Sequence, residues 1–277
     1  EFPGGKVEAG ESVTAALARE LDEELGITVR AQKPLCRIEH DYGDKHVLLD
    51  VWTVEAFDGV PAGRQGQPLR WLPVSDLQMH EFPVANRGII RRLQLPALIA
   101  ITGQDDTPGS FFDRFEQVLA QGISMVQLRL PAVTADDYRM HAMRCAELCQ
   151  VYNARLLLNA EPELVAETGA AGFHASAERL LKLQRRPVGE DVYFSASCHD
   201  LPQLLHAAQI GADFALLSPV LRTATHPDAS PLGWSAFEAL AARSPIPCYA
   251  LGGLSRSDLD EARAHGALGI AAISAFW

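Results

Sequence analysis

The chain has 277 residues, 48% of them hydrophobic, which is more than one small domain needs and enough for two buried cores. Its net charge of -11 excludes a broad basic surface of the kind that grips a nucleic-acid polymer. A mononucleotide, whose charge can be met by bound cations, stays open as a partner. No apolar run approaches the roughly 18 residues of a membrane span, and no signal peptide is read, so no membrane partner is expected. The cysteines Cys36, Cys145, Cys149, Cys198 and Cys248 are odd in number and lack C-x-x-C spacing. They read as reduced thiols of a cytoplasmic protein, with Cys145 and Cys149 as neighbouring core or half-buried thiols of one helix rather than metal ligands.

The chain begins at Glu1, without Met and already inside a motif, so a preceding N-terminal segment is expected. A strong helix is predicted from about Ser12 to Leu25. Strand-like stretches follow at Leu35–Asp41 and His46–Phe57, then the segment Leu69–Leu72, and a short helix near Ala85–Leu93. This first half, residues 1–95, has the α+β pattern of a helix with an antiparallel sheet. The run Gln94-Leu95-Pro96-Ala97 marks a boundary. Beyond it, in residues 96–277, short apolar strands alternate with helices. The strands are Ala97–Thr102, Met125–Arg129, Arg155–Asn159, Gly172–Ala175, Val192–Ser197, Phe214–Ser218, Cys248–Leu251 and Gly269–Ser274. The helices include Phe111–Gln121, Ala135–Tyr152, Ala160–Thr168, Leu201–Ile210, Ser235–Ala242 and Ser257–His265. This rhythm predicts a small α/β (β/α)8 TIM barrel; a doubly wound sheet would give the same local signal. No closing helix follows the last strand.

The helix near the start carries the first candidate site. Ser12 is a good N-cap and Gly26 a good C-terminal residue. Glu20 and Glu24 are one turn apart, on the face that also carries Val13, Leu17 and Leu21, whereas Asp22 points the opposite way. Carboxylates turned toward a core need partners, and hard divalent cations with oxygen ligands, Mg2+ first, suit them. Arg19 can pair with Glu23 one turn on. The Gly4-Gly5-Lys6 loop lets backbone approach a metal or phosphate. The bland alternative, a solvated acidic surface, suits Asp22 and not Glu24.

The run Gly5-x5-Glu11-x7-Arg19-Glu20-Leu-Asp-Glu23-Glu24-Leu-Gly26-Ile27 meets every position of the Nudix box. With Glu1-Phe2-Pro3-Gly4-Gly5 before it, it resembles the MutT branch of the Nudix hydrolases, which converts 8-oxo-dGTP to 8-oxo-dGMP and pyrophosphate. The resemblance implies a nucleoside triphosphate substrate and Mg2+ (with Mn2+ as a second option) held by Glu20, Glu23, Glu24 and the Gly4 carbonyl, these glutamates being catalytic. It makes Gly5, Glu11 and Arg19 structural. Phe82-Pro-Val-Ala-Asn86 resembles the segment whose Asn reads the oxidised base, with Phe2 lining the base pocket; Asn86 as a helix cap is the competing reading. Two features depart from the branch. Gln65-Gly66-Gln67 stands where a Glu-Gly-Gln segment is usual, and a neutral amide is no general base. The strands that normally precede the box are absent from this sequence, so the pocket is expected to be incomplete.

The second half resembles the thiamine-phosphate synthase and TenI family. The carrying pieces are Val126-Gln-Leu-Arg129, Leu156-Leu-Leu-Asn159, Gly172-Phe-His174, Ser195-Ala-Ser-Cys198-His199, Ser218-Pro219 running to Thr223-Ala-Thr225, Pro231-Leu-Gly233, Ala250-Leu-Gly252-Gly253 and Ala272-Ile-Ser274. Most fall at strand C-terminal ends, where barrel enzymes place their sites. Gly252, Gly253 and Ser274 are candidates for holding a phosphate on backbone N–H groups, or are ordinary turn residues. The resemblance implies a thiazole or pyrimidine phosphate ligand. It also implies His199 as an acid or base of the metal-free TenI kind, against a plain barrel-mouth histidine. The departures are heavy. Asn159-Ala160 replaces an Asn-Asp pair, no Asp follows His174 in the run to Glu178-Arg179, and Pro131 and His226 stand in place of lysines that meet pyrophosphate. Three readings stay open: a sanitising nucleotide hydrolase with a barrel of little chemistry, a bifunctional enzyme, and a phosphate-ligand sensor.

Overall fold

The computed structural model describes residues 1–41, 46–77, 81–103, 110–223 and 230–277, and the chain divides into two compact units, Glu1–Leu95 and Pro96–Trp277. Among the described residues no helix is long and apolar enough to cross a membrane.

The first unit is built on α1 (Val13–Leu25). The Ser12 side chain accepts the Ala15 N–H at 3.2 Å, and Gly26 ends the helix in the left-handed region at φ 71°. Strands β1 (Thr28–Asp41) and β2 (His46–Asp58) pair antiparallel, from Thr28 opposite Asp58 to Asp41 opposite His46. Leu21, Leu25 and Ile27 form the small core, with Leu17, Val29, Val54 and Phe57 packed on it, so the apolar stripe of α1 lies on the ribbon. Helix α2 (Val84–Leu93) approaches β1 at Gly88, where a Cβ would lie 3.1 Å from Ile38 Cδ1.

Two expectations need correction here. Strand β1 starts at Thr28, not Leu35, because Pro34 is absorbed at an irregularity in the pairing between Pro34 and Cys36. The segment Leu69–Leu72 forms no strand. Pro68 and Pro73 flank it without ladder donors, and Trp71 is 74% exposed, so no buried face dictates a pairing.

In the second unit, β3 (Leu98–Ile101), β4 (Met125–Leu128), β5 (Arg155–Leu158), β6 (Gly172–Ala175), β7 (Tyr193–Cys198), β8 (Phe214–Leu217), β9 (Cys248–Leu251) and β10 (Gly269–Ala272) form a closed parallel barrel. Strand β10 pairs with both β9 and β3, which excludes the doubly wound sheet. The strands are short and almost wholly apolar because both their faces are covered. Between them run α3 (Ser110–Ala120), α4 (Ala135–Val151), α5 (Leu164–Thr168), α6 (Ala177–Lys182), α7 (Leu201–Gln209), α8 (Gly233–Ala241) and α9 (Leu259–Ala264). Helix α5 is shorter than the expected Ala160–Thr168, because Pro162 keeps the residue before it out of the helical region. The short α6 was not expected; Ser176 caps it by accepting the Arg179 N–H at 3.3 Å. Cys145 and Cys149 are free thiols in the core, and burial pushes the Cys149 thiol up to about 12. After β10 the chain turns, and the Trp277 ring packs 4.9 Å from Phe111 of α3.

Candidate active sites

In the first unit the Gly4-Gly5 loop lies over the carboxylate face of α1. The Gly4 N–H donates to Glu24 Oε2 at 3.1 Å. A Cβ on Gly5 would lie 2.0 Å from Glu20 Oε1, so glycine lets the loop come this close without pushing the carboxylate aside. The Glu20 side chain is 16% exposed, against 53% for Glu23 and 65% for Asp22, and the periodicity of the helix accounts for that contrast.

Arg19 is the hub. Its Nε and Nη2 donate to the two Glu11 oxygens at 3.1 Å, Nη1 donates to Glu20 at 3.0 Å, and Nη2 donates to the Lys6 carbonyl at 3.0 Å. Its distance to Glu23 is 3.7 Å. The Arg19 guanidinium holds the Glu11 carboxyl below the usual range, helped by the Glu8 backbone N–H, and Glu11 and Glu20 in turn raise Arg19. The guanidinium thus braces the incoming loop on the helix.

Among the described residues no three His, Cys, Asp or Glu side chains converge as a metal cluster. Glu20 is engaged by Arg19, Glu24 accepts the N–H of Gly4, and Glu23 stands out toward solvent. The donor set is nevertheless all carboxylate and carbonyl oxygen, which suits a hard divalent ion once Glu20 turns from Arg19.

The residues read as base-binding come together in part. The rings of Phe2 and Phe82 lie 5.2 Å apart, tilted by 33°. Asn86 sits in the first turn of α2, but the cap position is Pro83 and no side chain caps this end, so Asn86 is not the helix cap. The Gln65-Gly66-Gln67 run lies against the C-terminal end of α1: Gln67 Nε2 donates to the Glu24 carbonyl at 3.3 Å, and its Oε1 accepts the Gln65 N–H at 2.9 Å.

In the barrel a cavity of about 840 Å3 opens at the C-terminal ends of the strands, and Gln127, Arg129, Asn159, Ser197, His199 and Gly252 lie on its wall. His199 donates from Nδ1 to the Ser218 carbonyl at 2.8 Å, so Nδ1 carries a hydrogen. Gly252 has φ 106°, and a Cβ there would strike Pro219 at 2.8 Å. Of the other two residues read as phosphate-binding, Gly253 and Ser274 are exposed and lie just beyond this wall, where Ile273 is the lining residue of the last loop. Ala160 packs on the core and Pro131 sits in an exposed turn; His226 lies outside the described residues.

Gln127, Arg129 and Ser197 were not among the expected site residues. Their signal was position, since each stands at or near the C-terminal end of a strand. Beneath the cavity His174 is buried between two hydroxyls, with Nδ1 2.8 Å from Ser195 Oγ and Nε2 2.9 Å from Ser197 Oγ. Burial first, and then the charge of Arg179, lower its pKa to about 3.

Comparison with known proteins agrees with both halves. Residues 98–276 match the family model for thiamine monophosphate synthase, and residues 1–92 match that for the NUDIX domain. The chain is 42% identical over 94 residues to the 8-oxo-dGTP diphosphatase of Escherichia coli (strain K12), covering 34% of this chain and 73% of that protein. It is 32% identical over 184 residues to a protein of Aquifex aeolicus (strain VF5) provisionally named thiamine-phosphate synthase 2, covering 66% of this chain and 99% of that one. It also covers 51% of the thiamine-phosphate synthase of Synechococcus sp. (strain WH7803), at 33% identity. A solved thiamine phosphate pyrophosphorylase from Pyrococcus furiosus shares the barrel fold, with a TM-score of 0.55 over 64% of this chain and 85% of that one, at 22% identity. The chain therefore belongs to the thiamine monophosphate synthase family through its barrel, and its first unit is a Nudix domain of the kind found in 8-oxo-dGTP diphosphatase.

Proposed function

We propose that the Nudix unit hydrolyses nucleoside triphosphates with Mg2+, preferring 8-oxo-dGTP and releasing 8-oxo-dGMP and pyrophosphate, while the barrel binds a phosphate-bearing ligand and does not make thiamine phosphate. The observation that carries the first part is the pair Glu20 and Glu24 held under the Gly4-Gly5 loop.

In the reaction a water oxygen bonds to phosphorus, the bridging P–O bond breaks, and the displaced oxygen leaves with its electron pair. Glu20, Glu23, Glu24 and the Gly4 carbonyl would hold divalent ions, which when bound neutralise phosphate charge and lower the pKa of water. Among the described residues Glu24 has no arginine partner, so whichever of its oxygens holds no ion can take the proton of the attacking water. Arg19 keeps the loop on the helix through Glu11 and Lys6. Phe2 and Phe82 offer aromatic faces to the base, and Asn86, with its side chain spared from capping, supplies the polar contact that tells an oxidised guanine from a normal one.

The reading of the barrel rests on charge. None of the described residues lining its cavity is Asp or Glu, whereas expulsion of pyrophosphate calls for a carboxylate-held metal and several cations. Asn159-Ala160 and Pro131 fall where that help would stand.

A panel of oxidised and normal nucleoside triphosphates with Mg2+, with products separated chromatographically, tests the Nudix assignment. 8-oxo-dGTP yielding 8-oxo-dGMP and pyrophosphate at the highest kcat/KM is the expected result. A flat profile, or cleavage of none of the panel, would overturn it.

A further inference from the structure

We propose that His174 is a positioning residue which, locked between Ser195 and Ser197, turns the Ser197 hydroxyl into a hydrogen-bond donor at the barrel cavity, where it receives an oxygen of a phosphate group that arrives without a metal ion. The inference rests on the reading that the barrel mouth binds a phosphate-bearing ligand, and deepens it by assigning the donor and what orients it.

The argument starts at the closed end of the relay. Ser195 is fully buried, and among the described residues its hydroxyl has one partner, His174 Nδ1, at 2.8 Å. His174 is itself 1% exposed, and its burial keeps the ring neutral, so one ring nitrogen carries a hydrogen and the other accepts. Were the hydrogen on Nδ1, it would point at Ser195 Oγ, and the Ser195 proton would be buried with no acceptor, the full desolvation cost of a polar hydrogen. With the hydrogen on Nε2, Ser195 O–H donates to Nδ1 and Nε2–H donates to Ser197 Oγ at 2.9 Å, so both the Ser195 proton and the buried ring are satisfied. The Ser197 oxygen is then an acceptor toward His174, and among the described residues its own proton has no acceptor, so it is left to the cavity that Ser197 lines.

Two neighbours on the wall point to the same ligand chemistry. Gln127 is 2% exposed, and its amide nitrogen is buried with no hydrogen-bond partner among the described residues. Arg129 adds a guanidinium, and no described lining residue is Asp or Glu. A wall that offers amide and hydroxyl donors and one cation, without carboxylates among the described residues, suits the oxygens of a bare phosphate, free or as a monoester, rather than a metal-bridged diphosphate.

The experiment has two arms, both on the whole chain. Long-range 1H–15N correlation of histidine-labelled protein at pH 7 reads the tautomer, with the His174 signals assigned by a His174→Gln spectrum. A protonated Nε2 and bare Nδ1 are expected; a protonated Nδ1 overturns the proposal whatever the barrel binds. Calorimetric titration with inorganic phosphate in EDTA reads the donor. Ser197→Ala should weaken binding about tenfold or more, the loss expected for a hydrogen bond to a charged group. Ser197→Asp should abolish it, and His174→Gln, whose amide can still donate toward Ser197, should keep it within about threefold. Unchanged affinity in Ser197→Ala would overturn this proposal and leave phosphate binding standing. No binding by the unmodified chain would overturn both.

Discussion

The peptide at Gly5 lies so close to Glu20 that a Cβ added to Gly5 would sit 2.0 Å from the Glu20 Oε1 atom. The atoms in the way belong to a side-chain end and not to backbone, so Gly5→Ala should displace the Glu20 carboxylate without unfolding the unit. A shift of that order at a catalytic group costs about 100-fold in turnover. We expect kcat to fall by about that much while the melting temperature changes little. A Gly5→Ala enzyme of full activity would show that Glu20 acts from some other position.

Asn86 tests the base-recognition half of the account. With Pro83 at the cap position, truncating Asn86 removes no cap. Asn86→Ala should lower kcat/KM for 8-oxo-dGTP relative to dGTP by about 5- to 150-fold, corresponding to about 1–3 kcal/mol for an unpaired polar group. Divalent-ion affinity should stay as it was. A ratio of the two kcat/KM values equal to that of the unmodified protein would remove Asn86 from the base pocket.

Much of this arrangement was legible in the residues, and the exceptions have physical reasons. Ser12 bounds α1 through its hydroxyl and Gly26 through its left-handed backbone, and of the face read as Val13, Leu17 and Leu21 the two leucines pack on the ribbon. The alternation of apolar strands and helices made the barrel one of two possibilities, and only the pairing of β10 with β3 separates it from a doubly wound sheet. Pro34 hid the first part of β1, because a proline reads as a strand end unless a bulge absorbs it. The wall residues Gln127, Arg129 and Ser197 were hidden for another reason. Gln127 and Arg129 do alternate with Val126 and Leu128, but in a strand this short and buried on both faces two polar positions do not mark which side turns inward. Nor does spacing reveal that Arg19 ties up Glu20, since that contact is set by how the loop at Lys6 folds back.

The His174 ring predicts an acid limb in the stability of the barrel. Its folded pKa is about 3, below the roughly 6.5 of an unfolded histidine, so below that value the unfolded chain binds a proton that the folded one refuses. The stability it contributes is complete above about pH 6.5 and falls with pH by up to about 1.4 kcal/mol per unit, the loss ending near the folded pKa. Urea midpoints of the barrel transition between pH 7 and pH 4 should therefore fall more steeply in the unmodified protein than in His174→Gln. Parallel pH dependence of the two proteins would mean that His174 is protonated in the fold.

The barrel should turn over nothing in the synthase reaction. Given the pyrimidine diphosphate, the thiazole phosphate and Mg2+, the chain is expected to form no thiamine phosphate at pH 6 or at pH 8. Assay at both values keeps the test from resting on a single pH. Steady formation of thiamine phosphate at either pH would show that the cavity meets the leaving pyrophosphate without the missing carboxylates.

The central claim is that Glu20 and Glu24, gathered under the Gly4-Gly5 loop, form a hydrolytic site for a nucleoside triphosphate. Pyrophosphate release from 8-oxo-dGTP with Mg2+, measured for the unmodified protein and for Glu24→Gln, tests it most directly. The substitution keeps the shape of the side chain and an oxygen that can accept the Gly4 N–H, and removes the charge and the proton acceptor. The account predicts release by the unmodified protein and a loss of at least about 100-fold in the variant, as expected when a general base is removed. Equal release by the two proteins would contradict it.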